Sequence, residues 1–141
     1  MIFAVIDTNV IVSSLLTKYP DSATAIVVSA AMDGRIVPLY NDAILEEYRE
    51  VLSRPRFGFP AERVNAVIHA IEVNGLDLES STWSDSLPDE SDRVFFEVAL
   101  AGQSDDAKLV TGNLKHYPQV NFVITPSQMV SLLSNPRSAT E

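Results

Sequence analysis

Short apolar runs and helical patterns alternate from one end of this sequence to the other. IFAVI (2–6), RIVPLY (35–40), AKLVTG (107–112) and NFVIT (121–125) have the length and composition of buried strands, and LDLES (76–80) reads as a shorter one. Between and after them lie helical stretches: NVIVSSLL (9–16), TAIVVSAAMDG (24–34), NDAILEEYREVLSRPRF (41–57), PAERVNAVIHAIEVNG (60–75), DRVFFEVALAGQ (92–103) and PSQMVSLLS (126–134). Thr8 or Asn9, Asp21 or Ser22, and Asn41 or Asp42 are the expected caps of the first three, and Gly34 and Gly75 the expected stops of the second and fourth. Pro60 and Pro126 fall in first turns, where a missing N–H costs nothing. Such alternation predicts an α/β domain with a mostly parallel central sheet. A chain of 141 residues can bury one such core. With no repeat or linker in view, the expected organisation is a single domain over 1–134 and a frayed tail, NPRSATE, over 135–141.

In a parallel sheet, ligands bind beyond the carboxyl ends of the strands. Asp7 ends the first strand, between two apolar runs, where an ionised carboxylate without a partner is costly. Asn113 ends a later strand, in KLVTGN. Taken singly, each is explained as well by a cap or a turn. The helix over 41–57 carries an apolar stripe of Ile44, Leu45, Tyr48, Val51 and Leu52. Glu46 points away from that stripe; Glu47 lies on its edge, where a solvated charge fits badly. Asp92 shares a face with Phe95, Phe96 and Ala99, although a capping box with Asp89 as N-cap would also account for it.

If Asp7, Glu47 and Asp92 converge, they cannot all stay ionised without a cation. The chain has no cysteine and two histidines, His69 and His116. That excludes thiolate sites, and an oxygen-rich ligand set selects hard Mg²⁺ or Mn²⁺ over zinc. Sites of this kind activate water and neutralise a phosphoryl group in transfer. The net charge of −9 argues against a broad electrostatic grip on nucleic acid and suits an acid cluster that a metal neutralises. No apolar stretch approaches the roughly 18 residues of a membrane span. MIFAVI lacks the basic flank of a signal peptide, and the absence of cysteine fits a reducing compartment, so the expected location is cytoplasmic.

IDTNVIVSSL, AILEEYREVLSRPRF, LPDESDRVFFEVALAG, LVTGNLKHYP and VITPSQMVSLL occur in this order and span nearly the whole chain. Together they resemble the PIN-domain nucleases, within them the branch described as toxin components of toxin–antitoxin pairs. The resemblance implies a three-layer α/β/α sandwich and Mg²⁺- or Mn²⁺-dependent hydrolysis of RNA phosphodiesters. It puts the metal-binding catalytic acids at Asp7, Glu47 and Asp92, and a fourth catalytic position at Asn113. In its fullest form the family site has a carboxylate at that fourth position; Asn113 offers an oxygen but no charge. Thr8, Asn9 and Thr111 are candidates to orient the acids by hydrogen bonds, or are ordinary turn residues. Arg54, Arg56, Lys115 and His116 flank the site elements and are candidates for RNA contact, or are scattered surface charge. The implied partners are single-stranded or structured RNA, a cognate antitoxin protein and a second copy of the chain.

Other chemistries fit less well. A phospho-receiver module needs a lysine ending its last strand, and NFVITP has none. A haloacid-dehalogenase-type phosphatase needs a second Asp two residues after the first, where this chain has Asn9. Neither histidine lies near a nucleophile motif, and no phosphate-binding glycine loop is present. The remaining alternative is a PIN-fold RNA-binding or scaffold module with weak or no catalysis.

Overall fold

The computed structural model describes residues 1–134; the tail expected to fray, 135–141, lies outside them. Five strands form one parallel sheet in the order β3-β2-β1-β4-β5: β1 Ile2–Ile6, β2 Ile36–Tyr40, β3 Leu76–Asp77, β4 Lys108–Val110 and β5 Val123–Ile124. Six α-helices accompany them: α1 Thr8–Leu16, α2 Ala23–Asp33, α3 Asp42–Leu52, α4 Ala61–Asn74, α5 Arg93–Ala101 and α6 Pro126–Ser134. α5 packs on β1, β2 and β4, while α2 packs on β2 and against α1, α4 and α6. The result is the α/β/α architecture with a parallel sheet.

The local signals act as the side chains require. Ser22 caps α2 by accepting from the Ala25 amide, and Gly34 ends that helix at φ 91°, in the left-handed region that favours glycine. Asn41 caps α3 through the Ile44 amide. α1 departs from expectation. Its N-cap position is Asp7, not Thr8 or Asn9, because the Asp7 carbonyl already accepts from the Val10 amide at 3.0 Å. The Asp7 carboxylate does not cap, being committed elsewhere.

Gly75 follows α4 for a different reason from Gly34. Its backbone is extended, with φ −104°, so no unusual torsion is needed. What it lacks is room: a Cβ there would lie 2.2 Å from the Pro38 carbonyl oxygen and 2.5 Å from that of Ile71. β3 pairs only with Leu39 and Tyr40, so the close approach to Pro38 comes just before the ladder begins. Gly75→Ala should therefore destabilise the protein by roughly 1–3 kcal/mol, because both obstructing atoms are backbone. A melting temperature equal to that of the wild type would show that β2 and α4 can part here at no cost.

The sheet order places a topological switch between β1 and β4. From β1 the chain builds β2 and β3 on one side, then returns to build β4 and β5 on the other. Ligands of open parallel sheets bind at such a crevice, beyond the carboxyl ends of the two divergent strands. Asp7 and Thr111 are the residues that directly follow β1 and β4.

Candidate functional site

The register of β1 on β4 brings Ile6 beside Val110, and the Asp7 amide donates to the Val110 carbonyl at 3.0 Å. The next residue on each strand is therefore a neighbour of the other. Asp7 is 4% exposed and Thr111 fully buried. The Thr111 hydroxyl donates to Asp7 Oδ2 at 2.8 Å, and the Tyr117 phenol donates to the same oxygen at 2.9 Å. Thr111 Oγ1 in turn accepts from the Asn113 amide at 3.1 Å. Burial raises the Asp7 carboxyl above its ordinary range. The hydroxyls of Thr111 and Tyr117 and the amides of Asn9 and Thr8 oppose that rise without cancelling it.

α3 supplies the second acid. Ile44, Leu45, Tyr48 and Leu52 are buried, Glu46 is exposed, and Glu47 is half-buried. The Tyr48 hydroxyl donates to the carbonyl of Ile6, which pins α3 to the end of β1 next to Asp7. Glu47 Oε2 accepts from the Thr8 hydroxyl at 2.5 Å. Burial raises the Glu47 carboxyl; the Thr8 bond works against that, and the charge of Asp7 adds to it.

The third acid stands at a junction. A single 3₁₀ turn over Glu90–Asp92 precedes α5, so Asp92 sits just ahead of the helix it was expected to begin. Asp89 is a cap, as expected: its Oδ1 accepts from the Ser91 amide at 3.0 Å and the Ser91 hydroxyl at 2.7 Å. The capping box does not form. Asp92 turns instead toward His116, whose Nδ1 lies 3.2 Å from Oδ2, and that oxygen is buried without a hydrogen-bond partner. Burial lifts the Asp92 carboxyl to about 6, helped by the charges of Asp7, Asp89 and Glu47 and opposed by His116.

Three elements thus carry Asp7, Glu47 and Asp92 into one electrostatic neighbourhood. They are not the most tightly packed ligand group. Among the described residues, that group is Asp89, Asp92 and His116, whose donor atoms all lie within 4.8 Å of one another. A buried, unpartnered oxygen on Asp92, whose carboxyl is raised by burial and by the charges of Asp7, Asp89 and Glu47, fits a divalent cation, which would satisfy that oxygen and offset the repulsion on it.

The remaining candidates divide. Thr8 and Thr111 touch the acids directly. The Asn9 side chain does not: its Oδ1 accepts from the Gly112 amide at 3.3 Å, tying α1 to the loop after β4. Asn113 also reaches no acid; its side-chain nitrogen lies 2.8 Å from His116 Nε2. Arg54 is near enough to Glu47 to lower its pKa, yet its guanidinium is bonded to Glu50 at 2.8 Å. Arg56 lies over the ring of Phe57, 4.8 Å from its centre. Lys115 lines a cavity beside the loop.

Tyr117 was not among the sequence candidates. Its signal in NLKHYP is slight: a tyrosine in a polar loop is ordinary until its ring proves buried, and then its hydroxyl needs a partner. Here the ring is 2% exposed and the partner is Asp7. Burial and the charges of Asp7 and Asp92 hold the phenol protonated, so it stays a donor. Tyr117→Phe keeps the ring and removes one of the two bonds that orient Asp7. Divalent-metal affinity, read by calorimetric titration, should fall roughly 10- to 100-fold, the usual cost of losing a ligand's supporting partner. Unchanged affinity would mean that Thr111 alone sets the carboxylate.

Comparison with curated proteins and with solved structures gives no significant match. The family model described as PIN domain matches residues 4–115, a span that runs from inside β1 through α3 and α5 to the loop after β4. That covers every element contributing an acid to the crevice, and the chain belongs to the PIN-domain family, a family of nucleases.

Proposed function

We propose that this protein is a metal-dependent endoribonuclease that hydrolyses RNA phosphodiesters and serves as the toxin of a cytoplasmic toxin–antitoxin pair. The observation that carries the catalytic reading is the delivery of three acids by separate elements to the switch-point crevice, each raised first by burial, with the charge of Asp7 adding to Glu47 and those of Asp7 and Glu47 to Asp92, which is lifted to about 6. Asp7, Glu47 and Asp92 would hold Mg²⁺ or Mn²⁺. Such an ion, when bound, supplies Lewis-acid activation of water and neutralises charge on the phosphate.

The chain's own residues do the rest. Thr111 and Tyr117 both donate to Asp7 Oδ2, so Oδ1 is the oxygen that would turn to a ligand. Thr8 holds Glu47 in the same way. Asn113 acts at one remove: its side-chain amide lies 2.8 Å from His116 Nε2 and orients the ring whose Nδ1 faces Asp92. The catalytic unit would comprise residues 1–134, with an antitoxin protein or a second copy of the chain as protein partner.

The test is cleavage of single-stranded RNA by purified protein with Mg²⁺ or Mn²⁺, against chelator and against Asp7→Asn. Cleavage confined to wild type with metal is expected. RNA binding without any cleavage would leave a scaffold module in place of an enzyme. For the toxin role, induced expression should arrest growth with the wild type and not with Asp7→Asn; unimpeded growth at full expression of active enzyme would remove it.

A further inference from the structure

A cavity of about 550 Å³ opens beside the site, lined by Pro88, Leu114, Lys115, Tyr117, Pro118, Gln119, Val120 and Val123. We propose that it is a subsite for one unpaired nucleotide of the RNA strand, next to the phosphate that is cut. The proposal rests on the ribonuclease reading and adds to it where the strand lies and what it is read by.

Four observations carry it. The cavity adjoins the acid crevice at one residue: Tyr117 is among those that line it, and the Tyr117 hydroxyl bonds Asp7. Two neighbours along the chain repeat that link, since lining residues Pro88 and Lys115 directly precede Asp89 and His116 of the tight ligand group. The volume lies within the roughly 300–1,000 Å³ of sites that enclose small molecules. The lining is chemically divided. Pro88, Leu114, Pro118, Val120 and Val123 are apolar, and Leu114 is 44% exposed despite its size. Gln119 offers a paired donor and acceptor, and Lys115 a cation. A nucleobase has apolar faces, a donor and acceptor edge, and an anionic phosphate on either side, so these walls match it group for group.

Charge narrows the occupant further. In a chain of net charge −9, five of the nine lysines and arginines among the described residues are committed, and Lys18, Arg56, Arg63 and Lys115 are not. Arg35, Arg49, Arg54, Arg93 and Lys108 are held in ion pairs with carboxylates. Lys115 is exposed and forms no ion pair among the described residues. It is a cation left available at the mouth of an apolar cavity, beside an acid site that would otherwise repel a phosphate. A base stacked in a duplex cannot enter such a cavity, whereas an unpaired base can be splayed into it.

The experiment walks a single abasic ribose along a short single-stranded RNA. Binding is measured by fluorescence anisotropy with the Asp7→Asn protein, and cleavage separately with otherwise wild-type protein and Mn²⁺. The pocket variant is Leu114→Ser/Lys115→Ala, at two exposed positions whose replacement spares the core. Removal of the base at one position beside the cleaved phosphate should weaken binding about tenfold and raise KM with little change in kcat. In the pocket variant, intact RNA should already bind about tenfold more weakly, and the abasic penalty should vanish. A penalty that persists in the variant, or no penalty at any position while the wild type cleaves, overturns the subsite and leaves the nuclease reading standing. Position-dependent binding that the variant abolishes, with no cleavage by the wild type, supports the subsite and overturns the nuclease reading.

Discussion

Asp7→Asn is expected to lower metal-dependent RNA cleavage by at least roughly 100-fold, since loss of a mere supporting partner of a ligand costs 10–100-fold and Asp7 is proposed as the ligand itself. The fold should survive. An amide oxygen can accept from Thr111 and Tyr117 as the carboxylate does, and the substitution removes no apolar surface. Without metal the variant should even be the more stable protein at neutral pH. The sign follows from the elevated carboxyls. An acid whose folded pKa lies above its unfolded value costs no stability below the unfolded pKa, loses stability as pH rises toward the folded value, and carries the full penalty above it. Asp7 and Glu47 are raised, and Asp92 stands at about 6 against 3.8. Metal-free wild type should thus lose stability as pH rises from 3.8 through about 6, and saturating Mn²⁺ should restore it. In Asp7→Asn the decline should be shallower, because one source of repulsion on Asp92 and Glu47 is gone. Melting curves across that window with and without metal check both statements. A wild-type midpoint that does not fall with pH relative to that of Asp7→Asn, or metal-dependent cleavage retained by Asp7→Asn, would overturn the role given to Asp7.

Glu47→Gln and Glu46→Gln should differ sharply although they are adjacent and chemically alike. Glu47→Gln should cut cleavage by roughly the same 100-fold or more, because it removes a charge from the crevice and a proposed metal ligand. Glu46→Gln should leave cleavage within about twofold, since Glu46 is exposed on the opposite side of α3. Both proteins should melt close to the wild type; the Thr8 hydroxyl can donate to a glutamine oxygen as well as to a carboxylate. The comparison isolates position from composition, since both variants change the net charge equally. An essential Glu46 with a dispensable Glu47 would mean that the acidic edge of α3 is turned by one residue from the orientation that the buried stripe sets.

The sequence by itself determined the α/β class with a mostly parallel sheet, the strand and helix order, and the three acids on otherwise apolar faces. The reason is periodicity: Glu47 falls on the edge of the stripe Ile44, Leu45, Tyr48 and Leu52, and a helix cannot bury that stripe without drawing Glu47 toward the core. Asp7 stood out for the same reason, an acid at the end of an apolar strand. Only the tertiary structure decided what each acid meets. Nothing local links residue 7 to residues 111 and 117; the parallel register of β1 on β4 brings Thr111 to Asp7, and the loop that follows β4 returns Tyr117 to the same oxygen. Local sequence also offered Asp92 a capping box with Asp89. A buried carboxylate facing His116 and the charges of two distant acids took its place, because a side chain answers to every neighbour that folding brings and a helix motif describes only those along the chain. Asn9 and Asn113 stand at the strand ends beside the acids, and their side chains meet the Gly112 amide and the His116 ring, since hydrogen-bond partners lie wherever the loop carries them. Spacing sets which face a residue occupies; what stands opposite that face is set by register and loop path, which are properties of the folded chain alone.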